Sequence, residues 1–293
     1  MSGRSDILVG AGPIRFGTSG VPRSLESGSH LDGITEVHRL GLSAMELAFV
    51  HRVNLKPAQA PEVRDLAENL DVGLSAHASY YINLNSPEAD KVRASRQRLL
   101  SAARMAWMCG GESVVFHAGW RHDDSPEKAY ESVRVQVSEI AQVLREEGVG
   151  IRLLPETTGK VTQFGDLDEL LCLAQDIPGV EPCVDFAHLH ARRGLMNTEE
   201  EFEDALTRVG AAVGTESLRR LHSHVSGIDY GPRGELRHLP LRDSDFNYVG
   251  LMRVLAGLRV AGRVICESPV NHDDAVLLAQ TWSEAVAAVQ EES

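Results

Sequence analysis

Six histidine or carboxylate residues each close an apolar run: His77, His117, Glu156, Asp185, His224 and Glu267. Imidazoles and carboxylates are ligands for divalent cations, and no thiolate is among the six. Brought together, they describe a metal site of the zinc or manganese kind. One zinc normally takes four ligands, so a set this large fits two or three ions better. Without cations, the same carboxylates would repel one another and carry a heavy desolvation cost. A single histidine at a strand end is ordinarily a packed or surface residue, and a single Asp there often caps a helix. Six at equivalent ends call for a shared purpose.

The elements that must position them are apolar, β-branched runs alternating with segments of 3.6-residue periodicity. The expected strands are Ile14–Thr18, Ala44–Phe49, Val72–His77, Ser113–His117, Gly150–Pro155, Glu181–Asp185, Leu221–Ser226 and Arg263–Glu267. Leu99, Ala102, Ala103, Ala106 and Trp107 share one face of a helix over about Pro87 to Cys109. Val133, Val137, Ile140, Ala141 and Leu144 line another, which starts at Asp124-Ser-Pro126 and stops at Gly148. A last helix is expected over about Asp273 to Gln290. Eight strands alternating with helices predict a (β/α)8 TIM barrel, in which all strand C-termini open on one face. An open doubly wound sheet is the alternative, usually with fewer strands.

Residues 1–12 read as a flexible N-terminal tail, and 13–293 as a single TIM-barrel domain with no internal repeat or linker. Gly10-Ala-Gly12 resembles a dinucleotide-binding loop, but Arg15 stands where the third glycine belongs. No run approaches the ~20 apolar residues of a membrane span, and the N-terminus lacks a secretory pattern. Four cysteines without paired spacing predict buried free thiols in a reducing cytoplasm. The net charge of -13 argues against a general nucleic-acid binder, although bound cations would reverse the local sign at one site.

Five segments carry a resemblance: His77-Ala-Ser-Tyr80-Tyr-Ile-Asn-Leu, Phe116-His117-Ala-Gly, Glu156-Thr-Thr-Gly159, Asp185-Phe-Ala-His188 and Glu267-Ser-Pro. In this order they resemble the endonuclease IV family of abasic-site endonucleases, within the xylose-isomerase-like barrel superfamily. The resemblance implies three zinc ions, with manganese as an alternative metal. It places His77, His117 and Glu156 on the first ion, and Glu156, Asp185, His224 and Glu267 on the second, with Glu156 bridging. It places His188 and His238 on the third. The family's remaining Asp falls at Leu236 here, so Glu235 is the expected replacement and Asp229 the alternative. The run Val-Ser-Gly-Ile-Asp after His224 and the opening Phe16-Gly-Thr-Ser also depart from the family pattern.

The activity so implied is zinc-dependent hydrolysis of the DNA phosphodiester 5′ to an abasic site, with Glu156 as catalytic residue. The implied partner is double-stranded DNA carrying abasic sites, contacted by Tyr80 and Arg237, and the chain is expected to be a cytoplasmic monomer. A sugar isomerase or epimerase on the same barrel is the competing reading, and a non-enzymatic metal-binding barrel the third. Oxygen-preferring ions favour carboxylate-dominated sites, whereas five of the candidate ligands are imidazoles. His30, His38, His51, His122 and His272 read as surface residues, and His190 and His222 as ambiguous neighbours of the ligands.

Overall fold

Eight short, mostly buried runs alternate with helices, and the seventh is followed first by a hairpin. A computed structural model describes residues 13–194 and 196–291 of the chain. The expected tail over residues 1–12, with its Gly10-Ala-Gly12, lies outside the described residues. The first seven strands are β1 (Ile14–Ser19), β2 (Ala44–Ala48), β3 (Gly73–His77), β4 (Ser113–Phe116), β5 (Arg152–Pro155), β6 (Cys183–Asp185) and β7 (Leu221–Val225). A hairpin of β8 (Gly227–Gly231) and β9 (Gly234–Leu239) follows, and β10 (Gly262–Cys266) completes the barrel.

The eight barrel strands pair in parallel in the order β5-β4-β3-β2-β1-β10-β7-β6. Parallel bridges Leu153↔Val180 and Glu156↔Cys183 join the two ends of that order, so the ring comes round on itself. This is the expected TIM barrel. The antiparallel hairpin β8–β9 is an addition that the reading of the sequence did not contain. Its short, half-polar strands read as a loop because they build no part of the apolar ring.

The helices are α1 (His30–Arg39), α2 (Ala60–Asn69), α3 (Ala89–Met108), α4 (Pro126–Glu146), α5 (Leu167–Asp176), α6 (Phe186–Arg193), α7 (Glu199–Val213), α8 (Tyr248–Gly257) and α9 (Asn271–Glu291). Helix α4 begins as expected. Ser125 accepts from Lys128 N, Pro126 occupies the first turn, and Gly148 leaves the helix at φ 71°. Its face of Val133, Val137, Ile140, Ala141 and Leu144 is buried against the barrel.

Two expectations fail locally. Trp107 is 44% exposed rather than buried with Leu99 and Ala103. Its indole lies over Gly150, where an added Cβ would sit 3.2 Å from Trp107 Cη2. Cys172 is exposed, unlike Cys109, Cys183 and Cys266. It stands on the outer helical layer, beyond reach of the strands. Among the described residues no helix is long and apolar enough to cross a membrane.

The inside of the barrel is partly polar. Val115, Leu154 and Cys183 form a small apolar cluster of their own. Beside it, Glu46, Ser75, Ser113 and His222 are all buried below the strand C-termini.

Candidate metal centre

At the C-terminal mouth, Glu156 is the hub. It follows β5 directly, its backbone N–H bonds to Phe116 O, and it is 1% exposed. Oε2 lies 2.9 Å from His77 Nε2 and 2.8 Å from His117 Nε2. Oε1 lies 3.3 Å from His188 Nδ1 and 3.2 Å from His224 Nδ1. One carboxylate therefore faces four imidazoles, from β3, the residue after β4, α6 and β7, two on each oxygen.

Asp185 divides its labour. As N-cap of α6, Oδ1 accepts from His188 N at 2.7 Å. Oδ2 is buried and accepts no hydrogen bond; the nearest cationic group is His188 Nδ1 at 3.4 Å. Thr157 fastens this corner, since its hydroxyl binds both Asp185 N (2.8 Å) and Asp185 O (3.0 Å). Glu267 follows β10 and brings Oε1 to 3.6 Å from His224 Nδ1.

His238 comes from the β8–β9 hairpin, with Nδ1 3.1 Å from the Glu267 carbonyl oxygen and Nε2 3.1 Å from His188 Nε2. Glu235 stands at the edge, its Oε2 3.7 Å from His188 Nε2 and its Oε1 3.9 Å from His238 Nε2. Asp229, the alternative, is turned away and pairs with Arg237 at 3.2 Å. The hairpin register sets Asp229 opposite Arg237, which holds that pair on the outer side.

Three groups of ligand atoms result, each with all its members within 4.8 Å of one another: His77, His117 and Glu156; Glu156, Asp185, His224 and Glu267; Asp185, His188 and His238. His77, His224 and Glu267 approach within the same distance and so link the first two groups. The fold thus gathers eight of the nine candidate ligands, with Glu235 just outside. It also shows Asp185 shared between two groups, which the sequence could not reveal. Tyr80 lies on the rim, half exposed, its hydroxyl 3.0 Å from His51 Nδ1 and from the Tyr81 hydroxyl. Arg237 extends into solvent. His190 is buried against Asp245 and takes no part in the centre.

The residue that sequence reasoning missed is Glu46. It is wholly buried in β2, in register with Ser75, whose hydroxyl donates to Oε2 at 3.0 Å. His222 Nε2 is 3.0 Å from the same oxygen, and His224 Nε2 is 3.0 Å from Oε1. The available signal was a lone carboxylate inside the apolar run Ala44-Met-Glu-Leu-Ala. It does not end its strand, so a search of strand ends passed over it.

These groups carry displaced proton affinities. Burial alone would lower the His77 imidazole, but its hydrogen bond to Glu156 and the charges of Glu156, Glu46 and Glu267 lift it to about 9. His188 and His224 are lifted well above the ordinary imidazole value against the same burial cost, His188 by Asp185 and Glu156, His224 by Cys183 and the surrounding carboxylates. Burial opposes ionisation of Glu156, yet the facing imidazoles hold its carboxyl well below the usual range. Asp185 moves the other way, because burial and the neighbouring Glu156 charge outweigh His188. His222 falls to about 4, chiefly through burial.

The residues fit divalent cations. Asp185 Oδ2 is an orphaned buried acceptor, and two imidazole nitrogens, His188 Nε2 and His238 Nε2, point at each other. Cations bound there would compensate the clustered carboxylates, which the imidazoles alone offset only when protonated.

Residues 34–291 match the model of the xylose isomerase-like TIM barrel family. The chain belongs to that family. A similar member, an uncharacterized protein of Methanocaldococcus jannaschii, is 41% identical over 270 residues, 92% of this chain and 97% of that protein. An Endonuclease 4 homolog of Dictyostelium discoideum is 23% identical over 56% of this chain, which spans 31% of that longer protein. Among solved structures of this barrel, a D-tagatose 3-epimerase-like protein has a TM-score of 0.72 at 18% identity, covering 95% of this chain and 99% of that one. Endonuclease IV of Thermus thermophilus has a TM-score of 0.69 at 24% identity, covering 92% and 99%. The family fold is thus common to proteins named for quite different reactions, and the site must decide between them.

Proposed function

We propose that this protein is a zinc-dependent abasic-site endonuclease that hydrolyses the phosphodiester 5′ to the lesion in duplex DNA. The observation that carries the reading is the position of Glu156, with His77 and His117 on one oxygen and His188 and His224 on the other. A bridging carboxylate of this kind suits adjacent ions, and linked ions suit in-line displacement at phosphorus. His77, His117 and Glu156 would hold one ion, Glu156, Asp185, His224 and Glu267 a second, and Asp185, His188 and His238 a third, with Glu235 beside it. Bound there, the cations would supply charge neutralisation on a phosphate and an acidified water near neutral pH. Glu156 would fix the spacing across the centre, and Asp185, tied down by Thr157, would keep its free oxygen available to the cations.

The rim supports a nucleic-acid substrate. Of eight large apolar residues that are exposed among those described, Val50, Tyr80, Tyr81, Trp120, Val161 and Leu236 lie in the loops or hairpin that follow barrel strands. Aromatic rings around a mouth are platforms for bases or an exposed deoxyribose. Arg98 stacks over the Tyr81 ring at 5.8 Å, adding positive charge there. An abasic nucleotide has no base to unstack and enters a recessed site cheaply.

A sugar isomerase or epimerase is the second reading. It is favoured by one feature, the group Glu156, Asp185, His224 and Glu267, which can hold a single oxygen-preferring ion on its own. It leaves His77, His117, His188 and His238 without a task. Cleavage of a duplex bearing one tetrahydrofuran abasic analogue, with elemental analysis of the same sample, separates the two. Chelator-sensitive cutting on the 5′ side supports the endonuclease. Intact duplex together with interconversion of keto sugars by the metal-loaded protein overturns it.

A further inference from the structure

Glu46 pairs with one residue of the three ligand groups, His224, at ion-pair distance. Its Oε2 is occupied by two donors, the Ser75 hydroxyl and His222 Nε2, both at 3.0 Å. Its Oε1 faces His224 Nε2 at 3.0 Å, an ion-pair contact, and neither atom makes a directed hydrogen bond to any described residue. The other nitrogen of the same ring, Nδ1, points up to Glu156 Oε1 at 3.2 Å and Glu267 Oε1 at 3.6 Å. We infer that Glu46 is the positioning residue of the centre: it fixes His224 as the Nε2–H tautomer, so that Nδ1 alone is offered to a cation.

The physical reason is the pairing of a carboxylate with the far side of a ligating imidazole. Such a partner sets the tautomer, locks the ring and strengthens the nitrogen as a donor. His77 and His188 use backbone carbonyls for the same purpose. Nδ1 of His77 meets Ala78 O at 2.8 Å, and Nδ1 of His188 meets Thr157 O at 3.0 Å. Of these three histidines only His224, fully buried on β7, is held from behind by a charged group. The network continues below: His222 Nδ1 is 3.3 Å from the Ser113 hydroxyl, so both His222 nitrogens are engaged and the carboxylate has a fixed seat.

One competing arrangement exists. Cys183, His222 and His224 also bring ligand atoms within 4.8 Å of one another, one layer deeper in the barrel. An ion there would need His224 Nε2 and a His222 nitrogen; Glu46 and Ser113 already hold both His222 nitrogens, and the Glu46 carboxylate stands 3.0 Å from His224 Nε2. The inference rests on reading the site as a divalent-cation centre and is independent of the substrate.

The test uses the whole protein loaded with cobalt or zinc. In wild-type protein with 15N-labelled histidine, the His224 resonances should show a proton on Nε2 and coordination through Nδ1. Glu46→Gln keeps the side-chain shape and removes the charge, and should weaken binding of at least one ion by about 10–100-fold in competition with a chromophoric chelator. The metal-free variant should retain its circular dichroism. Should that variant fail to fold, the wild-type tautomer still decides the matter. A proton on Nδ1, a thiolate-to-cobalt absorption from Cys183, or unchanged ion affinity in folded Glu46→Gln overturns the inference while leaving the cation reading intact. Wild-type protein that takes up no ion sinks both.

Discussion

His188 and His238 meet nitrogen to nitrogen, Nε2 to Nε2 at 3.1 Å, across the seam between α6 and the β8–β9 hairpin. His188 is held from behind by the Thr157 carbonyl and His238 by the Glu267 carbonyl, so both rings turn the same nitrogen into the gap. Two unprotonated nitrogens would repel there. A proton or a cation between them would relieve this.

His238→Ala should therefore remove one ion per chain and leave the others bound. Elemental analysis after exhaustive dialysis reads this directly. The same ion count in the variant and the parent would remove His238 from the centre.

Gly159 makes room for Glu235. An added Cβ would sit 2.5 Å from Glu235 Cβ and 2.8 Å from its Oε2, and Glu235 N already bonds to Gly159 O. Gly159→Ala should push the hairpin outward, costing about 1–3 kcal/mol of folding stability. The weakest ion should be released first in a chelator titration. An unaltered titration would show that Glu235 contributes nothing to cation binding.

Proton linkage gives the metal-free protein an unusual pH response. His77, raised to about 9 from an ordinary value of 6.5, contributes stability that is fully present below about 6.5. That contribution is lost as pH rises through about 9, and His188 and His224 act in the same direction. Chelated protein should show a falling Tm across this window. In zinc-loaded protein, cations take over from protons, and the decline should shrink or reverse. Zinc uptake near neutral pH should also release protons, which a weakly buffered titration detects.

Tyr80, Tyr81 and His51 form a contiguous aromatic group on the rim, with Tyr80 and Tyr81 centroids 4.3 Å apart. If a base or deoxyribose stacks there, Tyr80→Ala should weaken binding of an abasic duplex by about 1–3 kcal/mol. Ion content should stay unchanged. Equal Kd values for the parent and variant would assign Tyr80 to rim packing only.

Much of this protein was legible in its residues. Alternating β-branched runs and amphipathic helices determined the barrel, because burying each strand between ring and helices requires that pattern. The rule that parallel strands end on one face then made six scattered residues into one site. What the chain alone did not decide were contacts set by register and turn geometry. The β8–β9 hairpin set Glu235 beside His188 and His238 and turned Asp229 to Arg237 on its outer side. The two oxygens of Asp185 took separate tasks only once α6 began at that residue. Glu46 gained its meaning from the closure of the barrel, where His224 on β7, three strands from β2, reaches it across the interior. Types and order of the candidate ligands are a property of sequence, because chemistry and period suffice to read them. Which nitrogen or oxygen faces the ion belongs to the tertiary structure, because neighbours distant in sequence occupy the alternative atoms.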